Sequence, residues 1–296
     1  MKIAQIMQGD QIKLGIIHKE KIYDIKLLEL AILGTNKVSN LLHVNLNNIE
    51  HYNFLRSRLE YLDLTFYDSC QITGDYQFLP PIISPPKNII CVGKNYRNHA
   101  AELGDRNDGS EHIVLFSKPQ TTLIGNREKI NSHNELTNAL DYEGELAVVI
   151  GKKAKNVAED EALNYVFGYT ILNDVTARDL QSKHNQFFFG KSLDTFCPIG
   201  PWIVEKEDIP NIKDCRIITE VNGEIRQNDL VGNMTFSVEK IISTISKGIT
   251  LEPGDIIATG TPAGVGKGFN PPKYLKQGDE ISVTINGIGT LINKVK

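Results

Sequence analysis

The sequence predicts a strand-dominated α+β protein. A closed or rolled mixed sheet is expected over residues 80–296, with a small α+β module over residues 1–79 before it. Three observations carry this. Short apolar runs of strand length crowd the chain after Lys87, at residues 88–92, 146–150 and 169–172. Two Asn-Gly pairs, Asn222-Gly223 and Asn286-Gly287, each sit between apolar segments. That is a hairpin signal, because the tightest hairpin turns need positive φ at both central residues. Helical periodicity is scarce by comparison. Val238, Ile241, Ile242 and Ile245 stand at i, i+3, i+4 and i+7 and predict one amphipathic helix, and residues 158–166 are a shorter candidate.

In the first module, Ile12, Leu14 and Ile16, then Ile22 and Ile25, mark short strands, with Gly9-Asp10 as a turn. Residues 26–59 mix helical and polar stretches. His18, His43 and His51 are isolated there and form no catalytic constellation. Pro80, Pro81, Pro85 and Pro86 then crowd together with Ser84. Proline fixes φ and restricts the residue before it, so this stretch is extended and reads as a domain boundary.

The composition bounds the function. A chain of 296 residues with 41% hydrophobic and 23% charged residues suits an ordinary globular protein. A net charge of −4 gives no sign of nucleic acid or an acidic membrane as partner, both of which favour basic patches. Cys70, Cys91, Cys197 and Cys215 form no Cys-x-x-Cys pair, which argues against a disulfide scaffold or a zinc site and for buried thiols in a reducing compartment. No apolar run approaches a membrane span, and the opening Met1-Lys2-Ile3-Ala4-Gln5 lacks a signal core. The expectation is a cytoplasmic protein.

The chemistry concentrates in a few blocks. In Asp141-Tyr142-Glu143-Gly144-Glu145-Leu146, residues i and i+2 of a strand share a face, so Glu143 and Glu145 project together. Paired carboxylates suit a hard divalent cation, although Glu-x-Glu alone also fits a solvated edge strand. Asp174 closes the apolar run 169–172, where it fits either a third ligand or a helix N-cap. Arg178 and Gln181 follow at i+4 and i+7. Arginine forks onto carboxylates, so they could orient an acid, or form an ordinary exposed helix face. His99 and Glu102, at i and i+3, could make a general-base dyad or a surface pair. The polar segment 104–110 beside them reads as a lid. Lys191, after three phenylalanines, could stabilise an oxyanion or simply snorkel. Gly260-Thr261-Pro262-Ala263-Gly264-Val265-Gly266 is a glycine-rich loop whose amides could cradle a carboxylate or phosphate; it fits neither a Walker loop nor a dinucleotide fingerprint.

Taken in order, Gly93-x-Asn95-Tyr96-x-x-His99-x-x-Glu102, Glu143-x-Glu145, Asp174-x-x-x-Arg178-x-x-Gln181, Lys191-Ser192 and Gly260-Thr261-Pro262-x-Gly264-Val265-Gly266 resemble the fumarylacetoacetate hydrolase family over residues 80–295. The resemblance implies a mixed β-roll that forms a homodimer. It implies Mg²⁺ or Mn²⁺ held by Glu143, Glu145 and Asp174. His99 and Glu102 match a dyad on a substrate-ordered lid, and Lys191 matches an active-site lysine. Tyr96, Arg178, Gln181, Gly260 and Thr261 fall at or near the substrate. Small 2-oxo acids are the implied substrates, by acylpyruvate hydrolysis or oxaloacetate decarboxylation. Isomerisation of unsaturated 2-oxo diacids, or non-catalytic binding of an oxo acid, are the alternatives. The chain departs from the pattern at Lys94, where many members carry an apolar residue, and residues 1–79 do not resemble the larger N-terminal domain of the tyrosine-catabolism enzyme.

Overall fold

Apolar alternation and turn chemistry organise the chain into two packed sheets. The computed structural model describes residues 1–35, 49–104, 111–184 and 186–296, and of residues 49–51 the backbone alone. The chain lays down β1 (Lys2–Gln8), β2 (Gln11–His18), β3 (Lys21–Asp24), β4 (Ile89–Gly93), β5 (Val114–Lys118), β6 (Gly144–Ile150), β7 (Val166–Asn173) and β8 (Cys197–Glu205). A hairpin follows, β9 (Arg216–Val221) and β10 (Glu224–Leu230), then β11 (Ile256–Ala258) and a last hairpin, β12 (Glu280–Ile285) and β13 (Gly289–Val295). The main sheet runs in the order β3-β2-β1-β8-β7-β6-β11-β4-β5 and the second in the order β10-β9-β12-β13. All neighbours along these paths are antiparallel except β11 and β4, which are parallel, so the main sheet is mixed. This is the strand-rich α+β architecture expected from the sequence.

Local rules account for most elements. Both Asn-Gly pairs lie at hairpin turns, and Asn222 takes φ 52° and Gly223 φ 78°, as the tightest turn requires. The helices are α1 (Ile25–Leu33), α2 (Ile49–Leu59), α3 (Arg97–Glu102), α4 (Arg178–Lys183), α5 (Phe187–Lys191) and α6 (Val238–Gly248). In α6, Ser237 caps the N-terminus by accepting from the Lys240 amide, and Val238, Ile241, Ile242 and Ile245 are buried. At about 1.5–3 kcal/mol per buried side chain, this stripe fixes the helix against the sheets.

Two elements differ from expectation. Residues 158–166 form a 3-10 turn, Glu159–Tyr165, rather than an α-helix. Only Ala162 is buried there, and β7 begins at Val166, so the apolar stripe and the length for an α-helix are missing. Asp174 does not cap a helix. Thr176–Ala177 first pair with Leu140–Asp141, and α4 begins at Arg178.

Strand β6 is the hinge of the packing. Leu146, Val148 and Ile150 join a core with Ile217, Val221, Ile281, Val283 and Ile285 of the second sheet and with α6. On its other face, Ala147 and Val149 join Ile3, Ile16, Tyr52, Leu55 and Phe167. Burial on both faces explains why β6 reads as a continuous apolar run instead of an alternation. The second sheet approaches closely at Gly144, where a Cβ would collide with the Thr219 hydroxyl and lie 2.9 Å from Val283 Cγ1. Gly144→Ala is therefore expected to lower stability by about 1–3 kcal/mol, read as a reduced denaturation midpoint with an unchanged slope.

Candidate active site

The register of β6 against β7 builds the centre of the site. Gly144 lies opposite Asn173, so the flanking Glu143 and Asp174 face each other, and the Asp174 amide donates to the Glu143 carbonyl at 2.8 Å. Asn173 braces the corner by accepting from the Glu143 amide at 3.0 Å. Glu145 lies two residues along β6 and so returns to the face of Glu143. The three side chains are buried, and one carboxylate oxygen from each lies within 4.8 Å of the others.

Three buried cations surround them. Lys191, ending α5, donates to Glu143 at 2.9 Å and Asp174 at 2.6 Å. Arg178, opening α4, pairs with Glu143 at 2.7 Å and Asp141 at 2.8 Å. Lys118, ending β5, donates to Asp174 at 2.6 Å, to the Val175 carbonyl at 3.1 Å and to the Lys191 carbonyl. Burial alone would raise the Glu143 carboxyl, but Lys191 and Arg178 outweigh it and hold the group at about 2. Burial would likewise lower Lys191, but Asp174 and Glu143 keep it at about 12. Both groups therefore stay charged across the neutral range. The stability that they contribute is present from pH 4.5 to 10.5, and is lost as pH falls through about 2 or rises through about 12.

Glu145 is the exception. It makes no ion pair among the described residues and accepts only the Gly260 amide, at 2.8 Å. Burial, then Asp174 and Glu143, push its carboxyl well above the usual range. Four buried carboxylates (Asp141, Glu143, Glu145 and Asp174) thus face three buried cations, and Glu145 is the one left over. An all-oxygen donor set with one uncompensated anion fits a hard divalent cation such as Mg²⁺ or Mn²⁺. Each carboxylate oxygen has more than one acceptor site, so the ion pairs to lysine and arginine leave room for it.

Above this floor stands the dyad. Helix α3 places His99 and Glu102 on one face, with His99 Nδ1 2.8 Å from Glu102 Oε1. The other oxygen of Glu102 accepts the Gly264 amide at 2.8 Å, so the glycine-rich loop clamps the dyad from behind. Gly264 has φ +107° and a Cβ there would strike the Arg226 carbonyl, which is why this position needs glycine.

His99, Glu143, Glu145, Arg178, Gln181, Lys191 and Thr261 all line one pocket of about 270 Å³, closed on its apolar side by Val92, Leu103, Phe116 and Phe187. Arg178 Nη2 is buried and has no hydrogen-bond partner among the described residues. Thr261 donates to the Gly144 carbonyl at 2.9 Å and accepts from Gln227, so its hydroxyl holds the loop against β6. Gly260 contributes its amide to Glu145 rather than a surface to the pocket. Tyr96 is not among the residues that line this pocket. Standing just before α3, it lines a separate cavity with Arg97, Asn98, Asp229, Asn233, Met234 and Thr235. The expected lid, beyond Gly104, lies outside the described residues, as does His43.

Sequence reasoning missed Lys118 and Asp141. Lys118 is fully buried yet lies far from Asp174 along the chain, so only the strand order brings them together. Asp141 accepts from Arg178 and from the amides of Gly266, at 2.6 Å, and Lys267, at 3.0 Å. Its one available signal was its place at the head of the acidic run.

A mixed roll with a carboxylate triad, a buried lysine and a His–Glu pair defines a class of metal-site proteins. Residues 88–296 match the family model for the fumarylacetoacetate (FAA) hydrolase C-terminal domain, and the chain belongs to that family. It is 56% identical over 215 residues to oxaloacetate tautomerase YisK of Bacillus subtilis, covering 73% of this chain and 71% of that protein. Among solved structures it resembles the fumarylacetoacetate hydrolase of psychrophilic Exiguobacterium antarcticum, at 41% identity and TM-score 0.80, over 100% of this chain and 99% of the other. It also resembles the 2-hydroxyhepta-2,4-diene-1,7-dioate isomerase of Mycobacterium marinum, at 31% identity and TM-score 0.72, over 100% and 98%.

Because burial and its acidic neighbours raise the Glu145 carboxyl while a bound cation favours its ionised form, Mg²⁺ or Mn²⁺ uptake is expected to release whatever proton Glu145 carries. Calorimetry of metal binding in buffers of different ionisation enthalpy measures this directly. Heats that do not vary with the buffer would show that Glu145 is already ionised.

Proposed function

We propose that this protein is a divalent-metal-dependent enzyme that interconverts the enol and keto forms of a small 2-oxo acid of the oxaloacetate type. The single observation that carries the reading is the convergence of Glu143, Glu145, Arg178, Lys191 and His99 on one pocket, with Asp174 beside the two glutamates and Glu102 holding His99. The oxaloacetate tautomerase relative supports the substrate class.

Glu143, Glu145 and Asp174 would hold the ion. When bound, Mg²⁺ or Mn²⁺ supplies a Lewis acid that polarises the 2-oxo group. The side chains do the rest. Arg178 lines the pocket and would fork onto the substrate carboxylate through Nη2, which has no hydrogen-bond partner among the described residues. Lys191 stays an ammonium, so it stabilises negative charge on the enol oxygen instead of acting as a base. Proton movement falls to His99. Its Nδ1 faces Glu102, which fixes the ring and leaves Nε2 to exchange a proton with substrate carbon. Val92, Leu103, Phe116 and Phe187 keep water from competing for that proton.

Cleavage of a C–C bond, by oxaloacetate decarboxylation or acylpyruvate hydrolysis, is the second reading. It passes through the same enolate, and the 41% identical fumarylacetoacetate hydrolase favours it. In either case residues 80–296 carry the chemistry, and residues 1–79 brace β6 from the face opposite the second sheet. The homodimer and the cytoplasmic setting expected from the sequence belong to the same proposal.

Oxaloacetate tested with metal-loaded protein separates the readings. Faster loss of enol absorbance without pyruvate release supports the tautomerase, pyruvate release supports cleavage, and neither, with acetylpyruvate also left intact, would overturn both. His99→Ala should cost about a hundredfold to ten-thousandfold in rate while metal affinity is kept. A variant of full activity would remove His99 from the proton path.

A further inference from the structure

One cation of the pocket has no part in the charge network of its floor. Arg178 and Lys191 are each shared between two carboxylates. Lys267 also lines the pocket, half-buried, but its ammonium makes no ion pair or hydrogen bond among the described residues. The fold nevertheless fixes its backbone. Lys267 lies in a 3-10 turn, Gly266–Gly268, whose first two amides are both held by Asp141. The same Asp141 holds Arg178, so one carboxylate anchors both the guanidinium and the main chain that carries the Lys267 side chain.

We infer that Lys267 selects for diacids: its ammonium receives the second carboxylate of a 2-oxo diacid whose first carboxylate lies against Arg178. This rests on the reading that the pocket takes 2-oxo acids, and adds to it the residue that tells a diacid from a monoacid. Two further observations support it. Partial burial and the neighbouring Arg178 both press the Lys267 ammonium below its ordinary pKa, a penalty that an anion bound beside it would relieve. Phe116 and Phe187, which also line the pocket, offer a second carboxylate nothing.

The test uses two inert ligands with the same oxalyl amide end. Oxamate has one carboxylate and N-oxalylglycine has two, and neither has a C–H that can enolise at the oxo carbon. Each is titrated calorimetrically into the full-length protein loaded with Mg²⁺. The native protein is expected to prefer N-oxalylglycine by about tenfold or more, the scale of a charge-assisted contact. Lys267→Gln should erase most of that preference and leave oxamate affinity within about twofold, and Lys267→Arg should restore it. The inference is overturned if the native protein shows no preference, if Lys267→Gln weakens both ligands in parallel, or if Lys94→Gln removes the preference while Lys267→Gln does not. A protein that fails to turn over oxaloacetate but shows the expected ligand pattern would refute the proposed reaction and sustain the role of Lys267.

Discussion

The structure depends on keeping several like charges buried side by side. Glu143, Asp174 and Asp141 are buried beside Glu145, where an isolated carboxylate is costly to keep ionised. Their tolerance comes from a fixed lattice of cations, each delivered by a different element: Lys118 by β5, Arg178 by α4 and Lys191 by α5. Removing one partner from such a lattice strands a charge, so these positions are constrained by the whole fold as well as by any ligand. The short helices α4 and α5 owe their placement to this arrangement, since each brings one cation to the carboxylates.

The two faces of β6 divide the remaining work. One face packs on the second sheet and α6, and the other on the N-terminal strands and helices. A strand held on both sides cannot slip by one residue without turning its carboxylates away from the site. Among the described residues, the N-terminal segment holds β6 in place without lining the pocket. β1 pairs with β8, β8 with β7, and β7 with β6, a continuous hydrogen-bonded path from the first strand to the metal-type centre.

What the sequence made legible follows from the range of the forces involved. The Asn-Gly turns, the α6 stripe and the Glu143/Glu145 pair are each determined within a few residues, by positive φ, a 3.6-residue period and a 2-residue period. Each of the five family-like blocks sends at least one residue to one pocket (His99, Glu143 and Glu145, Arg178 and Gln181, Lys191, Thr261), while Glu102, Asp174 and Gly260 hold those residues by hydrogen bonds and Tyr96 lines a second cavity. Lys118 and Asp141 were not legible, because their meaning lies in partners on distant strands and loops. Asp174 shows the same limit from the other side. The local pattern offered a helix cap, but the carboxylate is already engaged by Lys118 and Lys191, and the helix starts four residues later.

Position 267 separates what folding needs from what recognition needs. Asp141 grips the main chain there, through an amide that any residue but proline possesses, and the side chain is left outside the hydrogen-bonded framework. Selection can therefore exchange that side chain for another without disturbing the loop, the dyad clamped behind it or the carboxylates below. A pocket built this way can be changed at one wall while the buried charge network of its floor is left intact.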